Sequence, residues 1–256
     1  MTMISWTAVY VLWLREMKRY VRAKSRIVGS LIQPLFFLAF LGLGFNRMAV
    51  PGMQAGTNYI RFLVPGIIGM TLLFSSSMQG LSVLWDREFG FLKEIMVAPV
   101  GRVSIVLGRI AGGTTTTLIQ ALLVLAVSFL LGFRVGGAPN LLLALVFMVL
   151  IAFTFIGFGL IFASKMKDMQ GFGLIINFII FPLFFLSGAL YPLNNLPLGV
   201  RVLSYADPLT YGIDGLRGTM IGVAAHPIVL DLLVLAACAL VMLFLGAYFF
   251  EKSESV

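Results

Sequence analysis

Six apolar runs dominate this chain: residues 27–45, 60–84, 103–131, 141–163, 171–190 and 232–250. Each holds about 19 residues or more, and at ~1.5 Å per residue such a helix crosses a hydrocarbon core of roughly 30 Å. Inside that core no water can satisfy backbone amides, so a run of this length must be helical to be buried there. The composition agrees. The chain of 256 residues is 60% hydrophobic and 11% charged, whereas about a quarter of a soluble domain is charged. The expected fold is an all-α membrane protein, a single 1–256 domain built as a six-helix bundle.

The net charge of +8 would suggest nucleic acid in a soluble protein. Here the basic residues lie between apolar runs, so topology explains them and no nucleic-acid partner is expected. An even number of spans puts both termini on one side. Thirteen of the eighteen Lys and Arg residues then share the side that holds the termini and the 85–102 and 164–170 loops. That side is expected to be cytoplasmic. The first span is expected to serve as its own insertion signal. Cys238 is the sole cysteine, so no disulfide or cysteine metal site is expected.

Two stretches between the spans carry pattern. Residues 1–26 place Trp6, Tyr10, Trp13, Met17 and Tyr20 on one helical stripe, with Arg15, Lys18, Arg19, Arg22 and Arg26 roughly opposite. That arrangement suits a helix lying in the headgroup region. Residues 85–102 read WDREFGFLKEIMVAPVGR. Asp86, Arg87, Gly90, Lys93 and Glu94 share one helical face and Trp85, Phe89, Leu92 and Met96 another, until Pro99 and Gly101 end the pattern. A helix tethered at both ends to spans can lie flat and offer its charged face to a soluble partner; a solvated link between spans is the simpler reading.

The long segment 191–231 is too polar to span. Pro192 and Pro197 break the preceding run, Asp207-Pro208 marks a turn, and Tyr211, Asp214 and Arg217 follow at three-residue intervals. Short helices that dip into the outer leaflet are expected, lying against other helices near the mouth of any path. They would form a gate or a simple cap.

The absences narrow the function classes. Arg61, Arg109 and Asp231 sit at span ends, where they are expected to reach the interface. No charge occupies mid-membrane, as a proton- or ion-coupled carrier would need. His226, the single histidine, is expected at the surface, and no catalytic or metal constellation is expected in the membrane. No G-x-x-x-x-G-K-[ST] run is present, so the chain does not bind ATP through a P-loop. The chain reads as a transport component powered from outside, not an enzyme. The alternatives are an ATP-independent carrier or channel, or a membrane scaffold or sensor with an ATPase partner.

With these stretches placed, the chain resembles the permeases of the type-2 ATP-binding-cassette exporter family over nearly its whole length. One motif, similar to R-E-x-G-x-L…P, comprises Arg87, Glu88, Gly90, Leu92 and Pro99, followed by Gly108-Arg109. The second comprises Ser187-Gly188, Tyr191-Pro192, Pro197, Pro208-Leu209-Thr210-Tyr211, Asp214 and Leu216-Arg217. Phe91 stands where a small hydroxyl residue is usual, and Asp207 where asparagine is common. The overall pattern looks closest to the drug-resistance and nodulation-factor branch. The resemblance implies a permease that pairs with a second copy or a paralogue and with a separate ATPase subunit, which would hold the ATP and Mg²⁺. It implies that residues 85–102 are the coupling helix, with Asp86, Glu88 and Glu94 meeting basic groups of the ATPase. The implied cargo is a drug, lipid or glycan-like amphiphile, and the implied location is a bacterial or archaeal cytoplasmic membrane.

Overall fold

The computed structural model describes residues 5–45, 58–88, 101–136, 138–166 and 169–253. The chain is an all-helical membrane bundle. Helix α1 (Trp6–Arg22) is capped by Ser5, whose hydroxyl accepts from the Ala8 N–H, as an N-cap serine does. A break at Ala23 leads into α2 (Lys24–Phe45). The long helices α3 (Tyr59–Glu88), α4 (Arg102–Leu130) and α5 (Ala138–Lys165) follow. Next comes α6, an interrupted helix from Met169 to Leu186. The short helices α7 (Leu198–Ala206) and α8 (Pro208–Ile221) precede the last helix, α9 (Ile228–Ser253).

Among the described residues, five helices are long and apolar enough to cross a membrane: Ile27–Phe45, Tyr59–Asp86, Val103–Leu130, Asn140–Lys165 and Ile228–Phe250. The expected fifth run, 171–190, is shorter than its apolar content suggested: its helix spans Gln170–Leu186. Two local features interrupt the helix before its end. Pro182 has no N–H to give the carbonyl four residues back, and the ladder widens over Ile176–Ile180, where the Phe181 N–H bonds the Ile176 carbonyl. Such a five-residue turn is the usual way a helix absorbs a misfit. At the far end Ser187 bonds back to the Phe184 carbonyl and Gly188 takes a positive φ of 72°, which halts the helix.

Two other expected boundaries move. Trp85 to Glu88 continue α3 as its last turn and do not open a separate loop helix; residues 89–100 lie outside the described residues. The last helix begins at Ile228 instead of 232, which draws Asp231 into its first turn.

Helix α5 is the hub, flanked by α3 and α9 and covered at one end by α8. Leu63, Ile67, Ile68, Leu72, Phe147, Ile151, Leu209, Ile213 and Leu216 belong to one buried cluster. A smaller cluster at the other end joins Leu84, Val106, Ile110, Leu160, Phe172 and Phe250. Three quarters of the most apolar window of α3 is buried, against 17% for α2 and for α9, so α3 is interior while α2 and α9 present apolar flanks outward.

Water does not drive helices together in lipid, so close backbone approach must. Gly157 and Gly159 of α5 supply it on two sides. A Cβ on Gly159 would meet the Ser77 carbonyl of α3 at 2.7 Å, and one on Gly80 would strike the Gly159 carbonyl. A Cβ on Gly246 of α9 would meet the Gly157 carbonyl at 2.8 Å. Gly80→Val is therefore expected to lower stability by about 1–3 kcal/mol through overpacking. Gly173→Ala, whose added methyl meets nothing within 4 Å, is expected to melt like the parent. Thermal unfolding in lipid nanodiscs compares the two.

Candidate functional site

One end of the bundle is organised by a carboxylate. Asp86, on the last turn of α3, is 7% exposed. Its Oδ1 lies 3.2 Å from Arg15 and 3.7 Å from Arg19, both on α1, and its Oδ2 lies 2.9 Å from Arg109 on α4. Arg19 also reaches Glu16 at 3.2 Å, and the Arg109 guanidinium sits 5.8 Å from the Phe250 ring. Helices α1, α3, α4 and α9 thus meet around one negative charge.

This arrangement changes two expectations. Arg109 is turned inward to Asp86 instead of reaching the interface. Asp86, expected on a face offered to a partner, is spent inside its own chain. Arg87 and Glu88 complete α3, with only their backbone described, and Gly90, Lys93 and Glu94 lie outside the described residues.

The N-terminal helix is seated against α4. The Trp13 indole N–H donates to Thr115 at 3.0 Å, and the Ser5 N–H donates to the Ser104 hydroxyl at 3.0 Å. Leu12 fills the space left by Gly108, and Glu16 the space left by Gly112. Trp6 and Tyr10 stay exposed and keep the aromatic stripe available to headgroups.

Between the ends lies a cavity of about 410 Å³ bounded by α2, α3 and α4. Thr71, Ser75, Met78, Ser82 and Trp85 line it along one face of α3, at helical spacing, and Gln33 and Gln120 face it from α2 and α4. Ser75 bonds Gln120, and the Gln79 amide donates to Thr116 at 3.0 Å. The walls mix thioether, aromatic and uncharged polar groups, a lining suited to an amphiphile. Ser76 and Ser77, by contrast, are buried within the bundle.

The opposite end carries the second motif. Asp207 caps α8, its Oδ1 accepting from the Leu209 N–H at 2.9 Å, and Pro208 starts the helix, where the missing N–H costs nothing. Burial pushes the Asp207 carboxyl up to about 7, against the lowering effect of that N–H. Thr210 donates to the Ser204 carbonyl at 2.7 Å and Tyr211 to the Tyr205 carbonyl at 3.0 Å, so α8 closes the open end of α7. Tyr191 donates to the Phe185 carbonyl at 2.5 Å, and Pro192 leads into the short turn Leu193–Asn195.

Arg217 is the buried centre of this end. Its Nε donates to the Phe62 carbonyl at 3.3 Å, and its Nη2 to the Gly188 and Ala189 carbonyls at 2.8 and 3.0 Å. Its guanidinium also stacks 3.6 Å from the Phe62 ring centre. Tyr59 donates to the Leu190 carbonyl at 3.0 Å. The non-helical stretch after α6 is thereby satisfied from α3 and α8.

Sequence reasoning missed one grouping here. His226 is not a plain surface residue: its Nδ1 is 3.2 Å from Asp214 Oδ2 and 3.7 Å from Asp231 Oδ1. Asp231 is fully buried, not at the interface. These residues are 12 and 17 positions apart from Asp214, with no periodicity to link them; a lone histidine beside Pro227, between two acidic residues, was the only available signal.

Comparison with known proteins gives a consistent result. A family model described as "ABC-2 type transporter" matches residues 7–221. The chain is 30% identical over 228 residues to an inner membrane transport permease, YadH, of Escherichia coli, covering 88% of this chain and 87% of that one. It is 28% identical to a putative transport permease of Cyanophora paradoxa, ycf38, over 82% of this chain and 72% of that one. It is 27% identical to nodulation protein J of Sinorhizobium fredii, over 87% and 85%.

Two outcomes follow from the geometry. Asp86→Ala leaves three guanidinium groups without their shared counter-ion. With Arg15 and Arg19 about a third exposed, solvent screening limits the expected loss to roughly 1–3 kcal/mol. Helix α1 should then become the first segment cut by protease, and unchanged cleavage would contradict the clamp. Arg217→Lys keeps the charge but loses the fork that reaches three carbonyls; a loss of about 2–4 kcal/mol is expected, measured by thermal unfolding.

Proposed function

Because the chain belongs to the ABC-2 type transporter family, we propose that it is the membrane-spanning permease subunit of an ATP-driven exporter for an amphipathic substrate such as a drug, lipid or glycan conjugate. ATP and Mg²⁺ are held by a separate ATPase subunit, and the path forms against a second copy or a paralogous permease. The protein lies in a bacterial or archaeal cytoplasmic membrane with both termini inside, so the Asp86 end is cytoplasmic and the Asp214 end external. Lipid surrounds the apolar flanks of α2 and α9.

One observation carries this reading. Among the described residues, the wall of the cavity between α2, α3 and α4 holds no ionisable group, while charged groups gather at the two ends. That cavity offers polar groups to a cargo, and no described ionisable side chain in its wall could couple the cargo's movement to an ion gradient. The force must arrive through an end. Residues 85–102 are the element for it: α3 delivers its first turn, and Asp86 fixes that turn to α1 and α4. A push on the following residues, with Glu88 and Glu94 as contacts for the ATPase, is then transmitted to three helices at once. Tyr191, Pro192, Asp207, Pro208, Tyr211, Asp214 and Arg217 belong to the external gate.

The test is reconstitution in vesicles with the cognate ATPase and a fluorescent amphiphile. Uphill movement is expected only with both subunits and ATP. Glu88→Gln combined with Glu94→Gln is expected to reduce ATP-driven transport by about tenfold or more, equivalent to ~1.4 kcal/mol of coupling, with no change in melting temperature. Uphill transport by this chain alone would sink the proposal.

A further inference from the structure

We propose that Asp214, His226 and Asp231 form a binding site for one divalent transition-metal cation of the zinc class, where α8 meets α9. The three residues come from separate elements: the middle of α8, the turn at 222–227 and the first turn of α9. Their ligand atoms lie within 4.8 Å of one another. His226 Nδ1 is 3.2 Å from one carboxylate oxygen and 3.7 Å from the other. A tetrahedral ion with bonds of ~2.0–2.2 Å to nitrogen and oxygen holds its ligand atoms about 3.3–3.5 Å apart, so the imidazole and both carboxylates already stand near coordination distance.

A second, independent observation points to a cation. Asp231 is fully buried, and neither of its carboxylate oxygens accepts from an N–H or O–H donor; its neighbours are the Asp214 carboxylate and His226 Nδ1, 3.7 Å away. Burying a bare carboxylate is costly unless a positive charge compensates it. The cation on α8, Arg217, interacts electrostatically with Asp214, but its N–H donors go to the carbonyls of Phe62, Gly188 and Ala189, so it gives Asp231 no hydrogen bond. Asp231 instead faces His226, beside Asp214. A dication among these groups neutralises both carboxylates and needs no further protein charge.

The supporting shell is built. Asp214 accepts from the Ala225 N–H with both oxygens at 2.9 Å and from the His226 N–H at 2.8 Å. Those bonds hold its carboxylate in place, as outer-shell donors do for metal ligands. The rings of Tyr205 and Tyr211 flank His226, each 5.7 Å away, and fix its plane. The His226 side chain is 24% exposed, which gives an ion a way in. One imidazole and two carboxylates make a borderline donor set that suits Zn²⁺, Co²⁺ or Mn²⁺ better than Ca²⁺, which takes six to eight oxygens. An ion bound here ties α8 to α9 through the intervening turn.

The experiment uses the full chain, free of any histidine tag, in lipid nanodiscs after chelator treatment. Zn²⁺ alone is expected to bind at one ion per chain and to raise the melting temperature, and Co²⁺ is expected to give visible absorption of a low-symmetry four-coordinate site. His226→Gln, on an exposed turn, and Asp231→Asn are each expected to weaken Zn²⁺ binding by about tenfold or more, while His226→Cys retains it. Binding below about a tenth of an ion per chain, or His226→Gln binding Zn²⁺ as the parent does, overturns the proposal. So does a melting temperature that rises on acidification but ignores Zn²⁺, which would mark a proton held among these three groups as what compensates them. None of these readouts involves transport, so the result stands apart from the exporter reading.

Discussion

The bundle depends on how it satisfies backbone that is not helical at one of its ends. A chain that leaves a helix within or beside hydrocarbon exposes carbonyls that water cannot reach. After Leu186 this chain does so, and side chains take those carbonyls: Ser187 for Phe184, Tyr191 for Phe185, Arg217 for Gly188 and Ala189, and Tyr59 for Leu190. Arg217 matters most because one planar group joins α8, α3 and the post-α6 stretch. Its desolvation is offset by charge-assisted bonds and by the Phe62 ring face. The short helices α7 and α8 can therefore lie against the spans without crossing.

The other end uses the inverse charge arrangement. There a single carboxylate, Asp86, gathers arginines from α1 and α4. At one end a cation gathers backbone; at the other an anion gathers cations. The middle relies on close glycine contacts and on hydroxyls bonded to their own helices, such as Thr71 to Ile67, Thr154 to Leu150 and Ser128 to Val124, which satisfies these groups without a partner helix. Specific polar contacts are thus concentrated at the two ends, with Ser75–Gln120 and Gln79–Thr116 crossing from α3 to α4 between them.

Much of this was legible in the sequence because hydrocarbon imposes a length and a composition. Five of the six apolar runs are helices long enough to span, and the short helices beyond Pro192 follow from its polarity and its Asp-Pro turn. The departures have local causes. Ser187 and Gly188 end α6 although its composition stays apolar to Leu190. Hydrophobic periodicity showed that Asp86, Arg15 and Arg19 occupy polar faces, but a period cannot say whether a polar face meets water or another polar face. Here α1 folds back so that its arginines meet Asp86. His226, Asp214 and Asp231 were beyond reach for a related reason: a turn between two helices brings them together, and no spacing rule describes that closure.

The wide turn at Ile176–Ile180 has a consequence for which sequences this architecture tolerates. Its i→i−5 closure holds one residue more than a regular turn, so that residue is absorbed locally and the phase of Phe181–Leu186 is kept. Removing one residue there lets the helix close regularly, with Phe184 still beside Phe37 and Phe74. Removing one from the regular turn beyond it turns everything distal by about 100° and draws it in by ~1.5 Å, which takes the Gly188 carbonyl away from the Arg217 guanidinium. Tolerance of a deletion in α6 therefore depends on where it falls, because slack in phase is held at that one turn.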